Sequence, residues 1–374
     1  MDTARVAAEL EGSTRSRSCS HQNVVVVLPD ATRPLELSLL DPLMDRLSGS
    51  ARTLTLVVAL GLHRRMTPSE RAPLEALARA HGAQLVEHDP DGELVEVGPP
   101  VELEGLSIPA RAHRSVAEAD RVIAVGIVEL HQYAGYSGGS KAISIGCAAR
   151  STIGAFHGTR LLSHPGVKIG RVEGNPFRAA LDAIAKGLGT VDALCLVPGA
   201  DTVVYGEVES AFARAVELAK PHVFVELDAP VEVLVLRVPR EKGSSFYQAS
   251  RAATYAAEVD APAVIPGGLL VVEAACEEGL GLGSGELAFA AAIDRGRAEI
   301  LDELRRGIES GGGAQRAMVL ARALERFQIA LVGPRIRALE RFGIRCVASL
   351  EELRIGARST SFANPFEKLP RIAG

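Results

Sequence analysis

The sequence contains no Cys-x-x-Cys pair, and its five cysteines (Cys19, Cys147, Cys195, Cys276 and Cys346) are scattered and odd in number. That pattern excludes a disulfide framework and reads as reduced thiols in a cytoplasmic protein. Long hydrophobic runs are missing too. The longest, residues 24–28 and 54–60, fall far short of the roughly 20 residues a membrane span needs, so no membrane partner is expected. Residues 1–22 are polar and carry no apolar core or cleavage pattern of a secretory signal. An excess of positive charge is also absent: the formal net charge is −5 and the sequence pI about 6.0, which leaves no basic face for nucleic acid. What is there is apolar material, 47% of 374 residues, enough for two cores and too long for one average domain. These bounds point to a soluble enzyme acting on a small molecule.

The chain alternates strand and helix signals. Asn23 opens a β-branched run, Val24 to Leu28, of the kind buried on both faces of a parallel sheet. It ends in Asp30-Ala31-Thr32-Arg33-Pro34, where Asp30 or Thr32 caps a helix that Pro34 opens, with Leu35, Leu39, Leu43 and Leu47 on one face. A second unit follows: a strand over 53–60, the loop Gly-Leu-His-Arg-Arg-Met-Thr, and a helix over 68–80. Further strands are expected at 84–87, 122–128, 193–197, 203–205 and 223–227, with helices near 111–119, 176–188 and 210–219.

The expectation is an α/β fold of two domains. The larger, residues 23–228, is a Rossmann-like parallel sheet with helices on both faces. A smaller α/β domain covers 229–350, and the active site lies in the cleft between them. Residues 1–22 are expected to form a flexible arm and 351–374 a terminal segment packing back on the first domain. No repeat of solenoid length occurs, and the triple glycine at 311–313 reads as a loop tip between helices.

In a parallel sheet ligands sit beyond the carboxyl ends of the strands. Asp30 and Arg33, His63 and His131 each follow a strand end. His131 enters Ala134-Gly135-Tyr136-Ser137-Gly138-Gly139-Ser140-Lys141, a glycine turn feeding a helix start that carries Lys141, with His157 beyond it. Glycine lets such a turn adopt conformations closed to other residues and approach a ligand, and a helix start suits a phosphate. Common cofactor signatures fail, however. Lys141 lacks the flanking Gly and Ser/Thr of a nucleotide triphosphate loop, no strand runs into Gly-x-Gly-x-x-Gly, and no His-Glu-x-x-His occurs. Three histidines with an open water position could also hold zinc, although the spacings resist it. Arg33, in its tight loop, is placed to bind a carboxylate bidentately, and Arg251 follows the polar and aromatic start of a helix at Tyr247-Gln248.

Taken in order, Asp30-Ala31-Thr32-Arg33-Pro34, Gly61-Leu62-His63-Arg64, Glu129-Leu130-His131 with the glycine turn and Lys141, His157, Glu173-Gly174-Asn175-Pro176, and Lys242-Gly243 with Tyr247-Gln248 resemble the nickel-dependent lactate racemase family. Any one motif is weak, but six in register over residues 23–285 are specific. The resemblance implies a nickel pincer nucleotide, a pyridinium-3,5-bisthiocarboxylic acid mononucleotide carrying nickel, and cofactor-synthesis enzymes as partners. It implies that Lys141 joins or pairs with the cofactor and that His157 completes nickel coordination. Asp30, Thr32, Ser137, Gly138, Gly139 and Asn175 would help hold the nucleotide. His63 and His131 would be the proton-transferring pair, and Arg33, Tyr247, Gln248 and Arg251 would surround a small 2-hydroxy acid. The reaction implied is inversion at C2 through a 2-keto acid, by hydride transfer coupled to proton transfer. Arg251 stands where the family prototype carries lysine, a change of fork geometry that favours a different or larger substrate. The competing readings are a zinc-dependent hydrolase using the same histidines and a non-catalytic member that binds the cofactor.

Overall fold

The computed structural model describes residues 1–374 except 14, 16–18, 34, 104, 310, 354, 357 and 374. The chain divides into two compact units that interleave along the sequence. The first comprises residues 1–129, 136–156 and 176–221; the second comprises 130–135, 157–175 and 222–374. The expected break at Asp228 therefore differs from the observed division. Two short stretches near residues 130 and 160 leave the first unit and return, and no composition shift marks such an excursion.

The first unit is built on a six-stranded sheet. In spatial order its strands are Thr202–Glu207, Thr190–Val197, Arg121–Ile127, Asn23–Pro29, Thr53–Ala59 and Gln84–Glu87. All neighbours pair in parallel except the first two, which form an antiparallel edge. The Asn23–Pro29 run is buried along its centre, as a β-branched strand covered on both faces must be. Its register with Thr53–Ala59 sets Leu28 opposite Val58 and Pro29 opposite Ala59. The helix Pro68–Ala80 starts on a capping box in which Thr67 and Glu70 satisfy each other's free N–H groups.

Several elements differ from the sequence expectation. Residues 3–12, read as a flexible arm, form a helix capped by Asp2, with Val6 and Leu10 fully buried in the first core. These two apolar residues are one turn apart, and that spacing seats the helix. Pro34, expected to open a helix, lies outside the described residues. The regular structure after it starts as a 3-10 turn at Leu37–Leu40 and becomes a helix at Asp41–Ser48, burying Leu39, Leu43 and Leu47. The helix expected near 111–119 is instead a short strand, Arg111–His113, paired antiparallel with Leu94–Glu96 and followed by one helical turn.

The second unit has an all-parallel five-stranded sheet, ordered Arg345–Val347, Gln328–Val332, Val264–Glu273, Val231–Arg237 and Ser359–Ala363. Phe224–Leu227, expected to close the first domain, pairs in parallel with Leu369–Ile372 in this second unit. The terminal segment, expected to pack on the first domain, adds strands to this second unit, where its backbone groups find partners. Gly313 is no loop tip: it has φ +99°, and a Cβ on it would fall 2.0 Å from the Gly285 carbonyl oxygen. Among the described residues no helix is long and apolar enough to cross a membrane.

Two glycines of the second unit separate backbone strain from steric overlap. Gly135 (φ +74°) has its Cβ direction 2.0 Å from the Arg171 carbonyl oxygen, whereas Gly174 (φ +67°) has nothing within 4 Å. Gly174→Ala is expected to cost about 1–2 kcal/mol for the left-handed conformation alone. Gly135→Ala should cost about 1–3 kcal/mol more through overpacking. Equal urea midpoints for the two variants would contradict this assignment.

Candidate functional site

In the first unit, the central strand has neighbours reached by the chain in opposite directions, so a crevice opens at its carboxyl end. Asp30 sits there, 7% exposed. Its Oδ1 accepts hydrogen bonds from the Thr32 N–H (3.2 Å) and hydroxyl (2.7 Å), and its carbonyl accepts from the Arg33 N–H at 3.0 Å. The adjacent strand delivers His63, whose Nδ1 lies 2.5 Å from Asp30 Oδ2. Burial pushes the Asp30 carboxyl up, but the charge and hydrogen bond of His63, with Arg33 and Thr32, outweigh it and hold the group well below the usual carboxylate range. A carboxylate facing Nδ1 draws an N–H to that nitrogen and fixes the tautomer and orientation of the ring. Four of the residues singled out in the sequence, Asp30, Thr32, Arg33 and His63, are thus brought together.

The glycine turn is held from beneath by a residue that sequence reading passed over. Arg178, 2% exposed, donates to the carbonyls of Tyr136 and Gly138, and its guanidinium stacks on Phe212 at 4.0 Å. Burial pushes this guanidinium down to about 10. In the sequence it resembles any arginine in a first helical turn. Gly138 and Gly139 both have positive φ, and a Cβ on Gly139 would meet the Phe212 ring at 3.0 Å. Here glycine is required by the chain's own packing. The helix that follows, Lys141–Ser144, is a single turn. Lys141 opens it and is partly exposed. The Ser137 hydroxyl is committed to backbone, donating to the Ile127 carbonyl at 2.6 Å and accepting from the Glu129 N–H.

A buried histidine pair flanks this region within the same unit. His88 and His113 meet edge to face at 5.8 Å, and His88 Nε2 donates to the Ala148 carbonyl at 2.9 Å. Desolvation holds His88 down at about 4 and depresses His113 as well.

In the second unit, the ring of buried Tyr133 stands edge-on between two imidazoles, His131 at 5.8 Å and His157 at 5.7 Å. Burial pushes the Tyr133 hydroxyl up, so it remains neutral. His131 Nδ1 accepts the N–H groups of Tyr133 (3.3 Å) and Ala134 (3.1 Å). This places the proton of the neutral ring on Nε2, the reverse of His63. Asn175 is not open to a ligand through its amide N–H₂, which donates to the carbonyls of Tyr133 (2.7 Å) and Arg171 (2.9 Å).

Tyr247, Gln248 and Arg251 lie at the start of the helical segment after Val231–Arg237, capped by Ser245, and all three are buried. Arg251 Nε donates to the Gln248 carbonyl at 3.0 Å and its guanidinium lies 4.8 Å from the Phe366 ring centroid. Arg316, which sequence reading left as a helix-face charge, lies 4.1 Å over the Tyr247 ring. Among the described residues no three His, Cys, Asp or Glu side chains come together as a metal cluster.

The lactate racemase N-terminal domain family matches residues 4–170. A lactate racemase of Thermoanaerobacterium thermosaccharolyticum is 26% identical over 274 residues, which is 70% of this chain and 61% of that protein. The chain thus spans about three fifths of this curated relative. A lactate racemase of Lactiplantibacillus plantarum is 28% identical over 163 residues, 41% of this chain and 36% of the relative. The fold is similar to the lactate racemase apoprotein of T. thermosaccharolyticum (TM-score 0.79, 19% identity, covering 99% of this chain and 92% of that one). It is also similar to a protein from Thermotoga maritima (TM-score 0.78, 15% identity, covering 99% of each chain).

The depressed His88 makes a signed prediction. Its contribution to stability is complete above the ordinary histidine value of about 6.5 and is lost as pH falls toward about 4, because only the unfolded chain takes up the proton readily. Relative to His88→Gln, the wild type should lose about 3 kcal/mol of unfolding free energy between pH 7 and pH 4. Parallel urea-unfolding curves for the two proteins across that range would refute it.

Proposed function

We propose that this chain, a member of the lactate racemase family, is an isomerase that inverts C2 of a 2-hydroxy acid. The observation that carries the reading is the His63–Asp30 pair at the carboxyl ends of neighbouring strands, within the segment that matches the family. A base directed at a hydroxyl proton needs a free ring nitrogen and a partner that steadies the charge it gains. Asp30, facing His63 Nδ1, supplies that partner and directs Nε2 to act as the basic atom.

The donor set fits a nickel pincer nucleotide better than a metal held by protein alone. A zinc hydrolase site needs three protein ligands, and among the described residues no three lie together. A metal that arrives with most of its ligands in an organic cofactor needs one further donor, and His157, beside Tyr133, is the side chain that would provide it. Lys141 and the turn of Ser137, Gly138 and Gly139 would hold the nucleotide, with Asp30 and Thr32 bounding it. When bound, the cofactor supplies the acceptor for the C2 hydride, chemistry that no side chain offers.

The chain's own residues then divide the work. His63 removes the hydroxyl proton, and Asp30 stabilises the imidazolium that results. Arg33 is placed beside Asp30 to hold a carboxylate, and Arg251 presents a second guanidinium beside Tyr247 and Gln248. His131, with Nδ1 committed to two backbone N–H groups, offers Nε2–H to a substrate oxygen. To act as a base at Nε2 its ring must give up those contacts. The two histidines therefore serve opposite enantiomers through different starting states.

Protein co-produced with the cofactor-synthesis enzymes should acquire nickel and interconvert the D and L forms of a 2-hydroxy acid, read by metal analysis and chiral chromatography. His63→Ala is expected to lower kcat by about 10²–10⁴-fold with nickel retained. Asp30→Asn should act in the same direction, whereas His157→Ala should reduce nickel itself. Failure of nickel-loaded protein to invert any of lactate, malate, phenyllactate or sugar acids would sink the isomerase reading.

A further inference from the structure

Among the described residues the second unit buries three Lys and Arg cations, and each meets an aromatic ring. Lys242 Nζ is 5.4 Å and the Arg251 guanidinium 4.8 Å from Phe366, and the Arg316 guanidinium is 4.1 Å from Tyr247. Arg316 is the one of the three that lies on the Tyr247 ring. It is only 8% exposed, and its Nε and Nη1 are buried without an acceptor. Two carboxylates of this unit are committed elsewhere. Glu286 accepts from the Ser245 hydroxyl and the N–H groups of Leu282 and Gly283, and Glu258 pairs with Arg322.

Arg316 is also held firmly. In a parallel α/β unit the helices begin at the carboxyl edge of the strands, so the start of Gln315–Arg326 comes to the same edge as the start of Phe246–Ala249. Gly313, pressed against the Gly285 carbonyl, closes the turn that precedes Arg316. Phe289, from the helix that Gly285 helps to begin, packs edge-on against the Tyr247 ring whose face carries Arg316. The Arg316 charge also acts on the buried Tyr133 hydroxyl, whose ring separates His131 from His157.

A buried guanidinium with open donors weakens a fold unless an anion completes it. We infer that Arg316 is a substrate-binding residue that takes a second carboxylate, so the substrate is a 2-hydroxy diacid and not a 2-hydroxy monoacid. The inference rests on the isomerase reading above for the 2-hydroxy group. Its own support is charge: Arg316, on the Tyr247 ring, is a buried guanidinium in addition to Arg33 and Arg251, which the isomerase reading already gives to the first carboxylate. A planar fork held on an aromatic face is suited to bind a carboxylate with directional hydrogen bonds.

The test compares the full chain with Arg316→Met and Arg316→Lys, by thermal melting and isothermal titration with D- and L-malate, D- and L-lactate and inorganic phosphate. Wild type should bind malate at least about tenfold more tightly than lactate, as one further charged hydrogen-bonded contact would give. Without ligand, Arg316→Met should melt at or above the wild-type temperature, because an unpaired buried charge has been removed. That variant should lose the malate preference while its lactate affinity changes less than about threefold. Arg316→Lys should retain part of the preference. The assignment is overturned if wild type binds no malate, if it binds lactate equally well, or if Arg316→Met keeps the preference. It is also overturned if that variant melts lower with its ligand response unchanged, or if phosphate gives the same Arg316-dependent response as malate. If nickel-loaded enzyme inverts no 2-hydroxy acid while Arg316-dependent malate binding persists, the isomerase reading falls and the diacid subsite stands.

Discussion

The parallel pairing of Asn23–Pro29 with Thr53–Ala59 is the constraint on which the first unit's chemistry depends. Side chains alternate across a strand, so a slip of one residue would exchange the two buried faces and carry Asp30 away from the adjacent loop. With the observed register the two loops emerge side by side, and Asp30 meets His63. The same strand pairs on its other side with Arg121–Ile127, which puts a switch in chain direction at the carboxyl edge. A row of unremarkable β-branched residues thus sets the distance between a carboxylate and an imidazole. That distance in turn selects the ring nitrogen that carries the N–H.

Much of this was legible in the sequence because strand ends and ligand positions coincide in parallel α/β folds. The valine run, the Thr67–Pro68 helix start, and the loops carrying Arg33 and His63 all follow from local pattern. What escaped was non-local. The helix over Thr3–Gly12 rests on just two buried residues, Val6 and Leu10, in otherwise polar surroundings. The excursions of 130–135 and 157–175 into the second unit leave no mark in composition. Nor does sequence distinguish Arg178 and Arg316 from solvated arginines, since their burial depends on Phe212 and Tyr247, far away along the chain.

The glycine turn shows how a right expectation can have a different cause. Gly138 and Gly139 do take conformations reserved for glycine, but the pressure comes from Val128 and Phe212 inside the protein. Likewise the polar residues Ser137 and Asn175 spend hydrogen bonds on backbone carbonyls, where they brace segments of the chain. Their contribution to any ligand is therefore through the shape they impose, and the groups with chemistry to offer are His63, His131, His157, Lys141 and the arginines.

His63 and His131 show that residue type alone does not define a role. One faces a carboxylate through Nδ1, the other faces two backbone donors through the same atom, and the proton is driven to opposite nitrogens. The second unit extends that logic to charge. Folding gains little from Arg316, whose Nε and Nη1 are sealed from water without an acceptor, and a hydrophobe of similar size would pack on Tyr247 at lower cost. Sites where a local rule is broken at a cost to stability are where function is concentrated. Arg316 breaks such a rule in the unit where the Tyr133 ring separates His131 from His157, and the compensation its Nε and Nη1 lack within the protein is of the kind an anionic substrate brings.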